Sequence, residues 1–235
     1  MTTRFLPPML AVAGLGSQAC VQQRPEIEPF LPDVAQATFV LDVDNPFFPL
    51  PAGATWVIEA QTPDGLERIE IEVVPDPRDV NGITATQVKD TAYLDGVLIE
   101  DTIDFYAQDT TGNVWYLGEE TCVFESNVCV DREGSWEYGV DGALPGFQMP
   151  ASPGIDGVVY RQEFYLGHAE DTGEVIAVSE TVTVPAGTFD DCIRTHDAST
   201  LDTALDEEKV YCRGVGNVLI LEGDVREELV ATSLP

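Results

Sequence analysis

Lysine is nearly missing from this chain. Lys89 and Lys209 are the only two, and 11 lysines and arginines together face 42 aspartates and glutamates in 235 residues. The formal charge of -31 repels phosphate backbones and argues against nucleic acid as a partner. It also leaves no Lys/Arg cluster for bare electrostatic contact with anionic lipid. Histidine is equally scarce, with His168 and His196 alone. No Gly-x-Ser-x-Gly elbow is present, and His196-Asp197 makes a poor base and orienter, because neighbours in a strand point to opposite faces. We therefore expect a non-catalytic protein and assign no catalytic residue. The apolar run from Phe5 to Gly16 is too short to cross a bilayer, which takes about 20 residues. No stretch of about 12 residues carries a 3.6-residue period, so helix is minor.

What is present begins at the N-terminus. Arg4, the apolar run with its small residues, and Cys20 stand in the order of a lipoprotein export signal, with Cys20 as the residue lipidated after cleavage. A plain secretory signal cleaved near Ala19 is the alternative, since Gln18 stands where small residues usually stand. Residues 21–35 hold three prolines and no periodicity, as a tether does. The expected organisation is a leader at 1–20, a tether at 21–35 and one extracytoplasmic domain at 36–235. The protein then belongs to a bacterial cell envelope, held at the membrane by a lipid anchor only, or is secreted.

Hydrophobic residues make up 44% of the chain, which supports a packed core rather than disorder. They fall in strand-like runs: QATFVLDV, ATWVIEAQ, LERIEIEVV, ITATQVKDTAYL, VLIEDTIDFYAQ and NVWYLGE, then VVYRQEFYL, EVIAVSETVTV, FDDCIRTHD, EKVYCRG, VGNVLILEG and VREELVA. Ile69 and Ile71 alternate with Glu70 and Glu72, which predicts one apolar face and one acidic, water-facing one. Pro63-Asp64-Gly65, Asp95-Gly96 and Thr111-Gly112-Asn113 separate such runs and predict hairpins. Residues 139–157 contain five glycines and three prolines and read as a long loop covering an end of the sheet. The fold class is all-β and mainly antiparallel: a large curved sheet or incomplete barrel with a long Pro/Gly-rich loop. The acids are spread along the chain, which suits a solvated, self-repelling surface better than a cation-binding block or a site for a basic partner.

Beyond Cys20, the cysteines are Cys122, Cys129, Cys192 and Cys212. Four cysteines allow three pairings. We favour Cys122–Cys129 and Cys192–Cys212, which join neighbouring strands. Loops of about 8 and 21 residues would stabilise the fold by roughly 2.5 and 3.3 kcal/mol on the chain-entropy estimate. The spacing is too wide for zinc, and an exported chain meets an oxidising compartment.

Five segments, GNVWYLGE (112–119), GSWEYGVDGALPGFQMPASP (134–153), YRQEFYLGHAED (160–171), TVPAGTFDDCIRT (183–195) and VYCRGVGNV (210–218), resemble a group of bacterial exported proteins and lipoproteins over roughly residues 45–230. The resemblance implies a β-rich extracytoplasmic domain that ends in a strand pair around Gly214-Val215-Gly216. It implies no active site. A looser similarity links the chain to curved-sheet envelope proteins that cradle lipids or lipoproteins, and another to methanotroph surface proteins that hold copper between histidines and an oxidised tryptophan.

The function expected from these observations is binding of a small apolar ligand, such as a lipid, or of an envelope partner. Trp115, Trp136 and Phe164 are the candidate lining residues, although each is first of all a core residue of a large sheet. No cofactor is expected. The alternative is a metal-binding surface protein, with His168 and His196 as copper ligands, or Asp42 and Asp44 as part of a calcium loop that lacks the glycine and bidentate glutamate of a complete one. An enzyme of unknown class ranks third.

Overall fold

The computed structural model describes residues 28–202 and 204–234. The leader, Cys20 and residues 21–27 of the expected tether lie outside the described residues. Apart from a three-residue 3-10 turn at Val34–Gln36, the described chain is built of antiparallel β-strands. Among the described residues, no helix is long and apolar enough to cross a membrane.

After a short β1 (Phe39–Val40), the strands β2 (Thr55–Thr62), β3 (Gly65–Val80), β4 (Ile83–Leu94), β5 (Val97–Asp109) and β6 (Val114–Glu125) form one meander. Turn chemistry sets its connections. Asp95 and Gly96 both take positive φ, 49° and 78°, as a two-residue hairpin that matches strand twist requires. Three short strands, β7 (Val128–Asp131), β8 (Trp136–Glu137) and β9 (Leu144–Met149), then pair with successive parts of β6. The second meander consists of β12 (Asp171–Val184), β13 (Gly187–Ser199), β14 (Asp206–Cys212), β15 (Gly216–Glu222) and β16 (Val225–Ser233). The turn between β14 and β15 holds Arg213, Gly214 and Val215, where the resemblance implied a strand pair.

Two contacts bend this ribbon into a nearly closed barrel. On one side β16 pairs with β2, matching Ser233 to Thr55. On the other, β10 (Val159–Arg161) pairs with β12 while β11 (Glu163–Phe164) pairs with β9. Only Gln162 separates β10 from β11, and its N–H donates to the Asp171 carbonyl. The two ends of the thirteen-strand path are therefore consecutive in the chain.

The stretch 139–157 departs from the expected loop, because its centre is strand β9. Pro145, second residue of β9, pairs in register with Glu163 of β11 and has no register partner on β6. Gly146 has no side chain to hold the neighbouring backbone away. Residues 28–35, expected as tether, are bonded to the barrel: the Phe30 N–H donates to the Val159 carbonyl, and the Arg161 N–H donates to that of Phe30. Of the QATFVLDV run only Phe39 and Val40 are strand, pairing with Asp109 and Gln108.

Both faces of β5 and β6 are covered, which explains their continuous apolar runs. Phe105, Ala107, Trp115 and Leu117 pack outward under Val34, Ala37 and Phe39 of the N-terminal segment. Tyr106, Val114 and Tyr116 belong to the main core. Val43, Phe47 and Leu50, from the loop before β2, join that core as well. Buried Asn45 anchors the loop by accepting from the Phe47 N–H and donating to the Gly112 and Pro150 carbonyls.

The cysteines form the two disulfides that local pairing predicted, Cys122–Cys129 between β6 and β7 and Cys192–Cys212 between β13 and β14.

Candidate functional site

Cross-strand partners share a face, so the registers trace the inward face around the barrel. One row runs Val73, Val88, Asp104, Glu119, Trp136 through β3, β4, β5, β6 and β8. Another, in the second meander, runs Thr195, Lys209, Ile220, Glu227. A third runs Gly173, Asp197, Glu207, Glu222. The interior is thus apolar in part and heavily carboxylate-lined in part. Water-facing acids were expected, and Glu70 and Glu72 do face outward. The inward carboxylates are additional, and most are nearly inaccessible to solvent.

A cavity of about 70 Å³ lies in the apolar part, lined by Phe48, Leu50, Trp56, Ile71, Tyr106 and Tyr211, with Asp90, Asp104 and Gln148 as polar neighbours. Trp56 is fixed by donating its indole N–H to the Val215 carbonyl at 2.7 Å. From the cavity wall a chain of rings leads deeper. Tyr106 stacks on Tyr116 with centroids 5.0 Å apart, and Tyr116 meets the edge of Trp136 at 5.4 Å. The Tyr116 hydroxyl donates to Asp104 at 2.6 Å.

Burial dominates the electrostatics. It pushes the Glu119 carboxyl up to about 8, with the Asp104 and Glu100 carboxylates adding to the effect. Glu163 is raised well above the usual carboxylate range by burial, then by Asp171 and Glu119; Asp171 is raised by burial first, with Asp197 adding. Lys209 behaves differently. Desolvation alone would lower it, but Asp197 at 2.9 Å and Glu207 at 3.0 Å hold its ammonium well above the ordinary value. Tyr106, Tyr116, Tyr160 and Tyr211 are all raised, chiefly by burial.

Among the described residues, several interior polar atoms have no hydrogen-bond partner: Glu119 Oε2, Tyr160 OH, Thr195 Oγ1 and Asp197 Oδ1. Such atoms are rare in folded proteins and each calls for an explanation.

The candidates named from sequence scatter. Trp136 stands on the interior wall. Trp115 faces outward, donating its indole N–H to Asp109 at 2.8 Å, and it is held there by Phe39 and Phe147. Phe164 lies under the Arg161 guanidinium, 4.9 Å from ring centroid to charge. The histidines engage different partners: His168 stacks on Tyr165, and His196 meets Asp206 at 2.7 Å. Asp44 accepts from the Gln108 side chain at 2.6 Å, and Asp42 is exposed. Among the described residues, no group of three or more His, Cys, Asp or Glu side chains is placed to hold a metal ion.

The interior carboxylates Glu119 and Glu163, and Tyr160, were not singled out from sequence, and Asp197 was weighed only as a partner for His196. A usable signal existed: the period-two pattern breaks at acids such as Asp104 and Glu119, which fall on the same face as Tyr106 and Trp136. Comparison with protein-family models, with curated proteins and with solved structures finds no match for this chain.

Proposed function

We propose that this protein is an extracytoplasmic, non-catalytic β-barrel domain that binds a small molecule in its interior, with Cys20 as its lipid anchor. The observation that carries this reading is the cavity lined by Phe48, Trp56 and Tyr106, with Asp90, Asp104 and Gln148 as its polar neighbours. Ligand pockets have this composition, mostly apolar walls with a few convergent polar groups. Support for the compartment comes from the disulfides, which persist outside the reducing cytosol. An interior site also favours a small molecule over an envelope protein as the partner.

Native mass spectrometry of the full chain, purified without detergent, tests the reading. A co-purifying mass that is lost on denaturation is expected. Ligand-free protein alone, together with no uptake of pentanol by the folded chain, would overturn it.

A further inference from the structure

The cavity pairs two kinds of wall. Four of its lining residues are aromatic, Phe48, Trp56, Tyr106 and Tyr211, and two are acidic, Asp90 and Asp104. None of the described residues that line it is Lys, Arg or His. The rings do not lie flat on one another. Phe48 is turned 66° from Tyr106 at 5.1 Å and 51° from Tyr211 at 6.1 Å, so the rings wall the space from different directions. Asp104 lies deep, 5% exposed, and its Oδ1 accepts from the Tyr116 hydroxyl. Asp90, Phe48 and Ile71 are half-buried and form part of the side that water reaches. Burial raises the Tyr106 hydroxyl, and the Asp104 and Asp90 carboxylates are among the charges that raise it further, which puts both acids within electrostatic reach of that ring.

These walls discriminate among occupants. An anion meets two carboxylates and no countercharge. A neutral apolar molecule suits the rings but strips water from the acids and returns nothing in its place. A metal ion needs more converging ligands than the described residues bring together. A primary ammonium carries three N–H donors, each wanting an acceptor, in a lining that is mostly apolar. A quaternary ammonium has no N–H to satisfy. Its methyl groups pack on the rings, whose quadrupoles attract its charge, and that charge answers Asp90 and Asp104.

Building on the proposed interior binding site, we infer that its ligand is a small free quaternary ammonium compound. Its methylated nitrogen sits among Phe48, Trp56, Tyr106 and Tyr211, and Asp90 and Asp104 balance its charge. The size of the cavity limits the rest of the molecule. At about 10–15 Å³ for each water-sized group, about 70 Å³ takes roughly five to seven groups. A nitrogen with three methyl groups fills about four of these, which leaves a body of roughly one to three heavy atoms. A phospholipid head exceeds that length and would bring its phosphate up to the acids.

Isothermal titration of the full chain at neutral pH with choline and with neohexyl alcohol tests this, since the two share one shape and carbon replaces the charged nitrogen in the second. Salt at about 0.15 M screens the acids of the outer surface. Choline is expected to bind at least about tenfold tighter than neohexyl alcohol, and phosphocholine more weakly than choline. The double variant Asp90→Asn with Asp104→Asn, confirmed folded by near-UV circular dichroism, should lose the preference while neohexyl alcohol still binds. Phe48→Leu keeps apolar bulk but removes a ring, and should weaken choline alone, by about threefold. Equal affinity for choline and neohexyl alcohol overturns the inference and leaves interior binding standing. A preference that survives the double variant overturns the assignment to Asp90 and Asp104. Phosphocholine as tight as choline overturns the restriction to a free compound. No binding of choline or neohexyl alcohol up to about 10 mM overturns the inference, and if pentanol is not taken up either, the interior site falls with it.

Discussion

Gly146 of β9 lies directly against the carbonyl of Arg161: a Cβ added at Gly146 would stand 2.1 Å from that oxygen and 2.6 Å from its carbon. Both are backbone atoms, so no flexible side chain can swing aside. This contact is the seam of the barrel, where the chain passes from β10 to β11.

Gly146→Ala is therefore expected to part the seam, lowering stability by about 2–3 kcal/mol. The urea midpoint should fall, and amide exchange should quicken selectively over residues 159–164. Unchanged exchange there would mean that the seam is not closed in solution.

The buried lysine gives a second test. Lys209→Met leaves Asp197 and Glu207 in the interior without their cation, which costs about 3–5 kcal/mol. Arg226→Ala, which removes an exposed pair with Glu228, should cost less than about 1 kcal/mol. Urea unfolding of both variants checks the contrast.

Stability should decline as pH rises, over two windows. Glu119 has a folded value raised to about 8, so its contribution is complete below its unfolded value of about 4.3. It is lost progressively up to pH 8, at a slope of about 1.4 kcal/mol per pH unit. Glu163 and Asp171 are raised too and act in the same direction. Glu119→Gln should remove about one proton's worth of that slope. The second window opens above about pH 10, where the unfolded chain gives up protons that the raised Lys209 and tyrosines keep in the folded state. Denaturant melts from pH 5 to 11 measure both. The opposite trend is expected at low pH. Against the cost of burial, Asp109 is held below the usual range by Thr111, Asn113 and Trp115, and Glu170 by Gly167, Thr200 and Arg161. Their contributions disappear on acidification.

The two disulfides should differ in weight. Replacing Cys192 and Cys212 by alanine opens the longer loop, at about 3.3 kcal/mol by chain entropy, against about 2.5 for Cys122 and Cys129. The first pair is also fully buried, whereas Cys129 lies in a largely exposed strand. Thermal melts of the two double variants should place the 192–212 variant lower.

Strand identity was legible in the sequence because alternation and turn residues act locally. Asp95-Gly96 signals its hairpin without knowledge of any other element, and each cysteine pair spans adjacent strands. Closure was not legible. The pairing of β16 with β2, and of β11 with β9, depends on residues far apart in the chain. Alternation also cannot say which of two half-polar faces turns inward. Asp104 and Glu119 read as surface acids until the register places them beside Tyr106 and Trp136. Trp115 shows the converse: it was a candidate lining residue, and Asp109, six residues earlier, instead fixes it on the outside.

The match of Ser233 to Thr55 has a consequence for biogenesis. The ring's first long strand waits, with one edge unsatisfied, until β16 has been delivered. A nascent chain halted before β16 can assemble hairpins but cannot shut the cylinder. Closure is thus governed by the arrival of β16, and a chain that stops short of it keeps an adhesive rim rather than becoming a slightly smaller protein.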